Sequence, residues 1–241
     1  MSSDSCVLII GGSGFLGSYM AKDYHSRGLS LLGLSSQAPA DPTLWTRFTI
    51  GPATAQNISA LTDGFKIHTC FYLAGSSSVP DSLIKPERDL SLLLPGLCSL
   101  VHFLVERQPN CHLVLFSSAA VYGNPARLPV NEQDNIAPLS PYGVHKSLAE
   151  EMIRHYSRMY KLRASSLRIF SAFGSGLRRQ LFWDVMKKYA IARHNNDSKI
   201  ILSGSGEESR DFIHAADVST AALLVSQHDS ASEYNILNVG N

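Results

Sequence analysis

The stretch "CVLIIGGSGFLGS", residues 6–18, narrows the choice of fold more than any other part of the chain. A short apolar run ends in a loop with Gly11, Gly14 and Gly17 spaced three apart, and a helix-compatible segment from Phe15 to Arg27 follows at once. A strand, a glycine loop and a helix in this order make an anion cradle. One glycine allows the tight turn, one lets backbone N–H groups approach a pyrophosphate, and one lets helix and strand pack closely. Gly11, Gly14, Phe15, Leu16 and Gly17 are therefore candidate cofactor-binding residues.

Further apolar runs at 29–34, 67–73 and 112–118 alternate with helix-compatible stretches, and they are apolar throughout rather than on alternate residues. That pattern predicts parallel strands covered on both faces, hence an α/β, Rossmann-like, doubly wound sheet. A helix within 87–107 is expected to be interrupted near Pro95. After "RASSLRIF", 163–170, the pattern changes to a glycine-bearing loop, a helix over 181–193, a short strand "KIILSG" at 199–204 and a helix "AADVSTAALLVSQ". The expected division is a dinucleotide-binding domain over 1–170 and a partial substrate-binding region over 171–241, interleaved with the first domain if the chain returns to it.

The formal net charge of +1, with no run of like charges, gives no electrostatic footprint for nucleic acid or an anionic membrane. No segment approaches eighteen consecutive apolar residues, and the N-terminus lacks the basic flank of a signal peptide. Cys6, Cys70, Cys98 and Cys111 have no metal or redox spacing, and at least three lie in apolar segments where cysteine packs as a small hydrophobe. The expected setting is reducing and cytoplasmic.

The second strand ends "LLGLSSQ", so Ser35 stands where a carboxylate would favour a free ribose 2′-hydroxyl. Its absence leans towards NADP, although no arginine follows immediately; the other reading is NAD held by a hydroxyl contact from Ser35. Further on, "SPYGVHKS", 140–147, reads as a Ser140 cap and a first-turn proline, which puts Tyr142 and Lys146 one turn apart on one helix face. A nearby ammonium and a cationic nicotinamide would together favour the phenolate and depress the phenol, which makes the pair a candidate proton shuttle. Ser118, ending "HLVLFSS" at the carboxyl edge of the sheet, is placed to bind the same substrate oxygen. His145 and His214 have no partner spacing suggesting a metal and read as packing or surface residues.

The blocks "GGSGFLGS", "FYLAGSSSVPDSLIKP", "LFSSAAVYG", "SPYGVHKSLAEE", "LRIFSAFGSG" and "SRDFIHAADV" together resemble the extended short-chain dehydrogenases/reductases, specifically the NAD(P)-dependent nucleotide-sugar epimerase/dehydratase family. The resemblance is collinear over nearly the whole chain. It implies Ser118, Tyr142 and Lys146 as catalytic hydroxyl, base and ribose-binding lysine, Ala74 and Gly75 against the cofactor, and Arg210 on the substrate diphosphate. Ser171 and Arg179, with Arg178 beside it, join the substrate candidates. The resemblance also suggests a homodimer through a helix bundle.

Several positions depart from the family pattern. Pro52 replaces an aspartate expected near the adenine, Leu93 an asparagine of the proton relay, and Ser171 a common substrate asparagine. The chain also stops at "YNILNVGN", where the family continues, so the expectation is either a fragment or an unusually open pocket. Ala119 and Ala120 follow Ser118 where the family's dehydratases carry an acidic pair, which disfavours elimination of water. What the resemblance leaves is an epimerase acting through a keto sugar, with an NADPH-dependent keto-sugar reductase and a noncatalytic NAD(P) sensor as alternatives.

Overall fold

The computed structural model describes residues 5–202, 204–228 and 234–241. Strands β1 (Ser5–Ile10), β2 (Ser30–Ser35), β3 (Arg47–Ile50), β4 (Lys66–Tyr72), β5 (His112–Ser118), β6 (Ala164–Ile169) and β9 (Tyr234–Val239) form one sheet. Its order is β3-β2-β1-β4-β5-β6-β9 and every neighbouring pair is parallel. Two short strands, β7 (Ser171–Phe173) and β8 (Phe212–His214), pair separately. The helices are α1 (Phe15–Ser26), α2 (Ala55–Thr62), α3 (Val79–Ile84), α4 (Pro86–Arg107), α5 (Pro141–Tyr160), α6 (Gln180–Asn195) and α7 (Ala215–Gln227).

The strand pleat sorts the core into two layers. Leu8, Ile10, Leu32 and Leu34 face one way and are covered by Ile58 of α2, Leu97 and Leu100 of α4, and Ala149 and Ile153 of α5. Val7, Ile9 and Leu31 face the other way, under Met20 and Tyr24 of α1 and Val218 and Ala222 of α7. Two-sided burial is why these strands lack polar alternation. It also explains Cys6, Cys70 and Cys111, which are buried, whereas Cys98 on the outer side of α4 is exposed.

The chain order departs from expectation where hydropathy is weak. β3 is half exposed, and β7, β8 and β9 are intermediate in burial, so none carries a strong apolar run. "HLVLFSS" is consequently the fifth strand. The strand expected at 199–204 is irregular over 199–202 and at Gly204, and Ser203 lies outside the described residues. The interruption expected at Pro95 is also corrected, because α4 runs unbroken through it. Proline in a helix interior costs about 3 kcal/mol, but Leu93, Leu97, Leu100, Val101 and Leu104 are all buried along this helix. At roughly 1.5–3 kcal/mol for each fully buried aliphatic side chain, their burial outweighs one lost hydrogen bond. The same helix has the length and apolar composition to cross a membrane, but it packs these leucines into the sheet.

Candidate active site

Parallel strands deliver their carboxyl ends to one edge, and β1, β4 and β5 are neighbours there. β1 leads into the glycine loop. Gly11 adopts φ +95°, and a Cβ on it would lie 2.8 Å from the Ala74 nitrogen, so the turn and the close passage past the end of β4 both demand glycine. A Cβ on Gly17 would meet the Gly11 carbonyl at 2.5 Å, which fixes how closely α1 docks on the loop. Gly14 caps α1 without a side-chain hydrogen bond, leaving the first-turn N–H groups of Phe15, Leu16 and Gly17 for an anion. These residues fit a dinucleotide pyrophosphate.

Ser35, at the end of β2, is buried and its Oγ accepts from the Ser13 N–H at 3.1 Å. Its hydroxyl braces the glycine loop. On the other side of β1, the Leu73 N–H donates to the Ile10 carbonyl at 2.8 Å, which carries Ala74 and Gly75 alongside Gly11. Gly75 has φ +131° and faces Leu93, so the position lacking the family's asparagine presents an apolar side chain to the loop.

The predicted catalytic residues gather where β5 meets the start of α5. Ser140 caps that helix by accepting from the Gly143 N–H at 3.2 Å, and Pro141 fits the first turn because it has no N–H to satisfy. The Tyr142 N–H donates to Ser82 Oγ of α3 at 3.1 Å. The Ser118 side chain lies near enough to the Tyr142 phenol to favour its charged form, and Ser118 Oγ accepts from the Ala120 N–H at 3.2 Å. Lys146 is buried and its Nζ donates to the Phe116 carbonyl at 2.7 Å, 5.7 Å from the centre of the Tyr142 ring.

The electrostatics of the pair without a cofactor are set by burial. In the chain by itself burial pushes the Tyr142 phenol up, the Ser118 hydrogen bond works against that, and the Asp89 charge adds to it. Burial also draws Lys146 down to about 8, with Asp89 and Glu150 opposing. The low-dielectric setting thus disfavours charge on both partners until an added cation favours the phenolate.

The other predicted residues lie around this centre. The Arg179 guanidinium donates to Ser77 Oγ at 3.2 Å, joining the start of α6 to the loop after β4. The Ser171 N–H donates to the Asp211 carbonyl at 3.0 Å, so β7 holds Ser171 beside the segment that carries Arg210. Arg210 is exposed and its guanidinium makes no hydrogen bond or ion pair among the described residues. Asp211, its neighbour in the chain, accepts from the Asn241 N–H at 2.9 Å. His214 caps α7 by accepting from the Ala216 N–H at 3.2 Å and packs edge-on against Tyr19 and Phe173.

Two buried polar pairs next to the centre were not anticipated. His145 is no simple packing residue, since its Nδ1 lies 2.5 Å from Oδ2 of Asp89 on α4. Its signal was the three-residue spacing from Tyr142, which turns it to the same face. Deeper, Arg168 of β6 is almost inaccessible and pairs with Glu150 at 2.7 Å, while Ser117 Oγ donates to Glu150 at 2.5 Å. Arg168 also reaches the Tyr122 hydroxyl at 2.8 Å, and Tyr122 donates to Asn238 of β9 at 2.7 Å. This network ties α5 to the sheet directly beneath Ser118 and Lys146.

Comparison with known proteins agrees with this fold. A family model described as the NAD dependent epimerase/dehydratase family matches residues 7–240. A putative UDP-glucose 4-epimerase from Methanocaldococcus jannaschii is 28% identical over 228 residues, which is 90% of this chain and 72% of that protein. The CDP-paratose 2-epimerase of Salmonella typhi is 26% identical, covering 97% of this chain and 78% of its own. The crystal structure of UDP-glucose 4-epimerase from Brucella ovis in complex with NAD superposes with a TM-score of 0.83 at 25% identity, over 99% of this chain and 78% of that one. With a matched span running from the second residue of the described chain's first apolar run almost to its last residue, this protein belongs to the NAD dependent epimerase/dehydratase family.

Proposed function

We propose that the chain inverts a sugar carbon of a UDP-hexose, with NAD as its resident cofactor. The observation that carries this is the approach of the Ser118 side chain to the Tyr142 phenol at the carboxyl edge of the sheet that also bears the glycine loop. Gly11, Gly14, Phe15, Leu16 and Gly17 would hold the pyrophosphate, Ala74 and Gly75 would flank the nucleotide, and Lys146 would reach the nicotinamide ribose. When bound, the nicotinamide supplies hydride acceptance and return at the sugar carbon.

Around that chemistry the protein moves one proton. Ser118 holds the sugar hydroxyl, and Tyr142 takes its proton and later gives it back. The Lys146 ammonium, lying along the ring, favours the phenolate that this requires. Ala119 and Ala120 in the turn after Ser118 carry no proton, so the sugar keeps its other hydroxyls. Arg179 and Arg210 supply guanidinium groups suited to the substrate diphosphate, with Ser171 beside them.

NAD is preferred because Ser35 already bonds the glycine loop, and no lysine or arginine occurs between Ser35 and Thr46 to pair with a 2′-phosphate. The relative from Brucella ovis has NAD bound. The test is incubation with UDP-glucose and NAD, followed by proton NMR of the sugar anomers. Appearance of UDP-galactose with no net change in NADH absorbance supports the proposal. NADPH consumed only with a keto sugar would replace it with a reductase, and tight cofactor binding without turnover would leave a sensor.

A further inference from the structure

A lysine buried as deeply as Lys146, 5% exposed, needs something nearby to keep its charge. The Phe116 carbonyl accepts its hydrogen bond at 2.7 Å but brings no negative charge. Two carboxylates favour its ammonium form against burial, Asp89 ahead of Glu150. They differ in what else they do. Both oxygens of Glu150 are engaged by the Arg168 guanidinium, one of them by Ser117 as well, so its charge is already neutralised at close range.

Asp89 is not neutralised in that way. It is 4% exposed in the first turn of α4, where the helix dipole favours an anion. Oδ2 is held by His145 Nδ1 at 2.5 Å, while the buried Oδ1 accepts no hydrogen bond among the described residues. An ionised carboxylate can only accept, so Nδ1 carries the hydrogen, and a neutral imidazole suffices as the anchor. A buried carboxylate oxygen without a partner is destabilising, because it has given up its water and gained nothing in return. Such a cost persists where the charge does something else.

The other charged groups around the pair are poorly placed to substitute. On α5 these are Tyr142, Lys146 itself and Glu150. Glu87 and Arg88 of α4, with Asp81 of α3 and Lys85 at the junction of the two helices, are exposed to solvent, and β5 contributes only the hydroxyls of Ser117 and Ser118.

We propose that Asp89, anchored by His145, is a positioning residue that keeps Lys146 an ammonium behind Tyr142. The role of this pair rests on the proton-transfer function proposed above, and it lies one turn before the apolar Leu93, on the same helix. The same charge opposes the Tyr142 phenolate, so the pair holds the lysine charged at some expense to the phenol. Removing Asp89 therefore moves the lysine and the alkaline limit of turnover together.

The experiment is a pH titration of the full chain, loaded with NAD and labelled at lysine Cε, by carbon-proton NMR. The Lys146 signal is the one missing from Lys146→Met. Burial should leave the midpoint of the unchanged protein below the ordinary lysine value. Asp89→Asn should lower it by about one pH unit or more, His145→Ala should lower it part of the way, and His145→Gln, which keeps a side-chain N–H, should restore it. The alkaline limb of kcat with UDP-glucose should shift with the midpoint while KM stays constant. A Lys146 midpoint that stays in place in both Asp89→Asn and His145→Ala overturns the inference even if turnover is normal. If Asp89→Asn does not fold, His145→Ala and its rescue by glutamine decide it. A shifted midpoint in a chain that never turns over a sugar nucleotide retains the Asp89–Lys146 coupling and removes the proposed function instead.

Discussion

The ammonium nitrogen of Lys146 lies 5.7 Å from the centre of the Tyr142 ring while bonding the Phe116 carbonyl on the strand beneath. The lysine is therefore tied to the sheet rather than to the phenol oxygen, so in the proposed mechanism it would act on Tyr142 through its charge. From the strand side, the nearby Ser118 hydroxyl favours the charged phenol. The ammonium and the hydroxyl near this tyrosine thus sit on different elements, and they can be removed separately.

Tyr142→Phe keeps the ring and deletes the proton carrier. Turnover of UDP-glucose should fall by about 10²–10⁴-fold, the usual contribution of a positioned acid or base. NAD affinity, followed by fluorescence quenching, should change little because the glycine loop is untouched. Activity within a factor of a few of the unaltered chain would remove Tyr142 from proton transfer.

Lys146 also leaves a mark on stability. Its folded value is about 8 against 10.5 for a free lysine, so between these pH values the unfolded chain binds the proton and the folded chain does not. Stability must then rise with pH across that window, by about 3 kcal/mol in total. Buried tyrosines and cysteines titrate nearby, so the readout is the difference between the unaltered chain and Lys146→Met in urea melts at pH 7.5 through 10.5. A difference that is flat with pH would show that Lys146 is not desolvated as the structure has it.

Glu150→Gln leaves the Arg168 guanidinium buried at 1% exposure without its counter-charge. Breaking one side of a buried pair costs about 3–5 kcal/mol. The double change Glu150→Leu with Arg168→Met should recover most of that loss, because apolar packing avoids the desolvation of both ions. Chemical denaturation of the three variants measures this directly, and a loss under about 1 kcal/mol in Glu150→Gln would mean that the pair is solvated.

His112 on β5 governs the acid side. It is buried between the Ser165 hydroxyl at 2.9 Å and the Ser226 carbonyl at 3.4 Å, and burial lowers it to about 4 from 6.5. Below pH 6.5 the unfolded chain gains a proton that the folded chain refuses. This contribution is present at pH 7 and lost as pH falls towards 4, amounting to about 3 kcal/mol at that end. His112→Gln should lose less stability between pH 7 and 4.5 than the unaltered chain does. An identical acid slope in the two proteins would contradict the assignment.

The parts legible in the sequence are those whose causes are local along the chain. Gly11, Gly14 and Gly17 declare a loop because backbone sterics act within a few residues, and Tyr142 and Lys146 share a face because 3.6 residues make a turn. The buried central strands were visible through two-sided burial, which removes polar alternation from short segments. β3 and β7 to β9 were not, since they are short and half-exposed and take their identity from the strand they pair with. For the same reason Pro95 looked like a break until the leucines beside it were seen to be buried.

The amino-acid order by itself determined the strand-loop-helix cradle, the doubly wound parallel sheet and the helix that carries Tyr142 with Lys146. Only the tertiary structure decided that Ser118 meets Tyr142, that Asp89 meets His145 across 56 residues of chain, and that Glu150 meets Arg168 inside the sheet layer. Desolvation and charge pairing act through space, and which groups lose water together is settled when the helices close over the sheet.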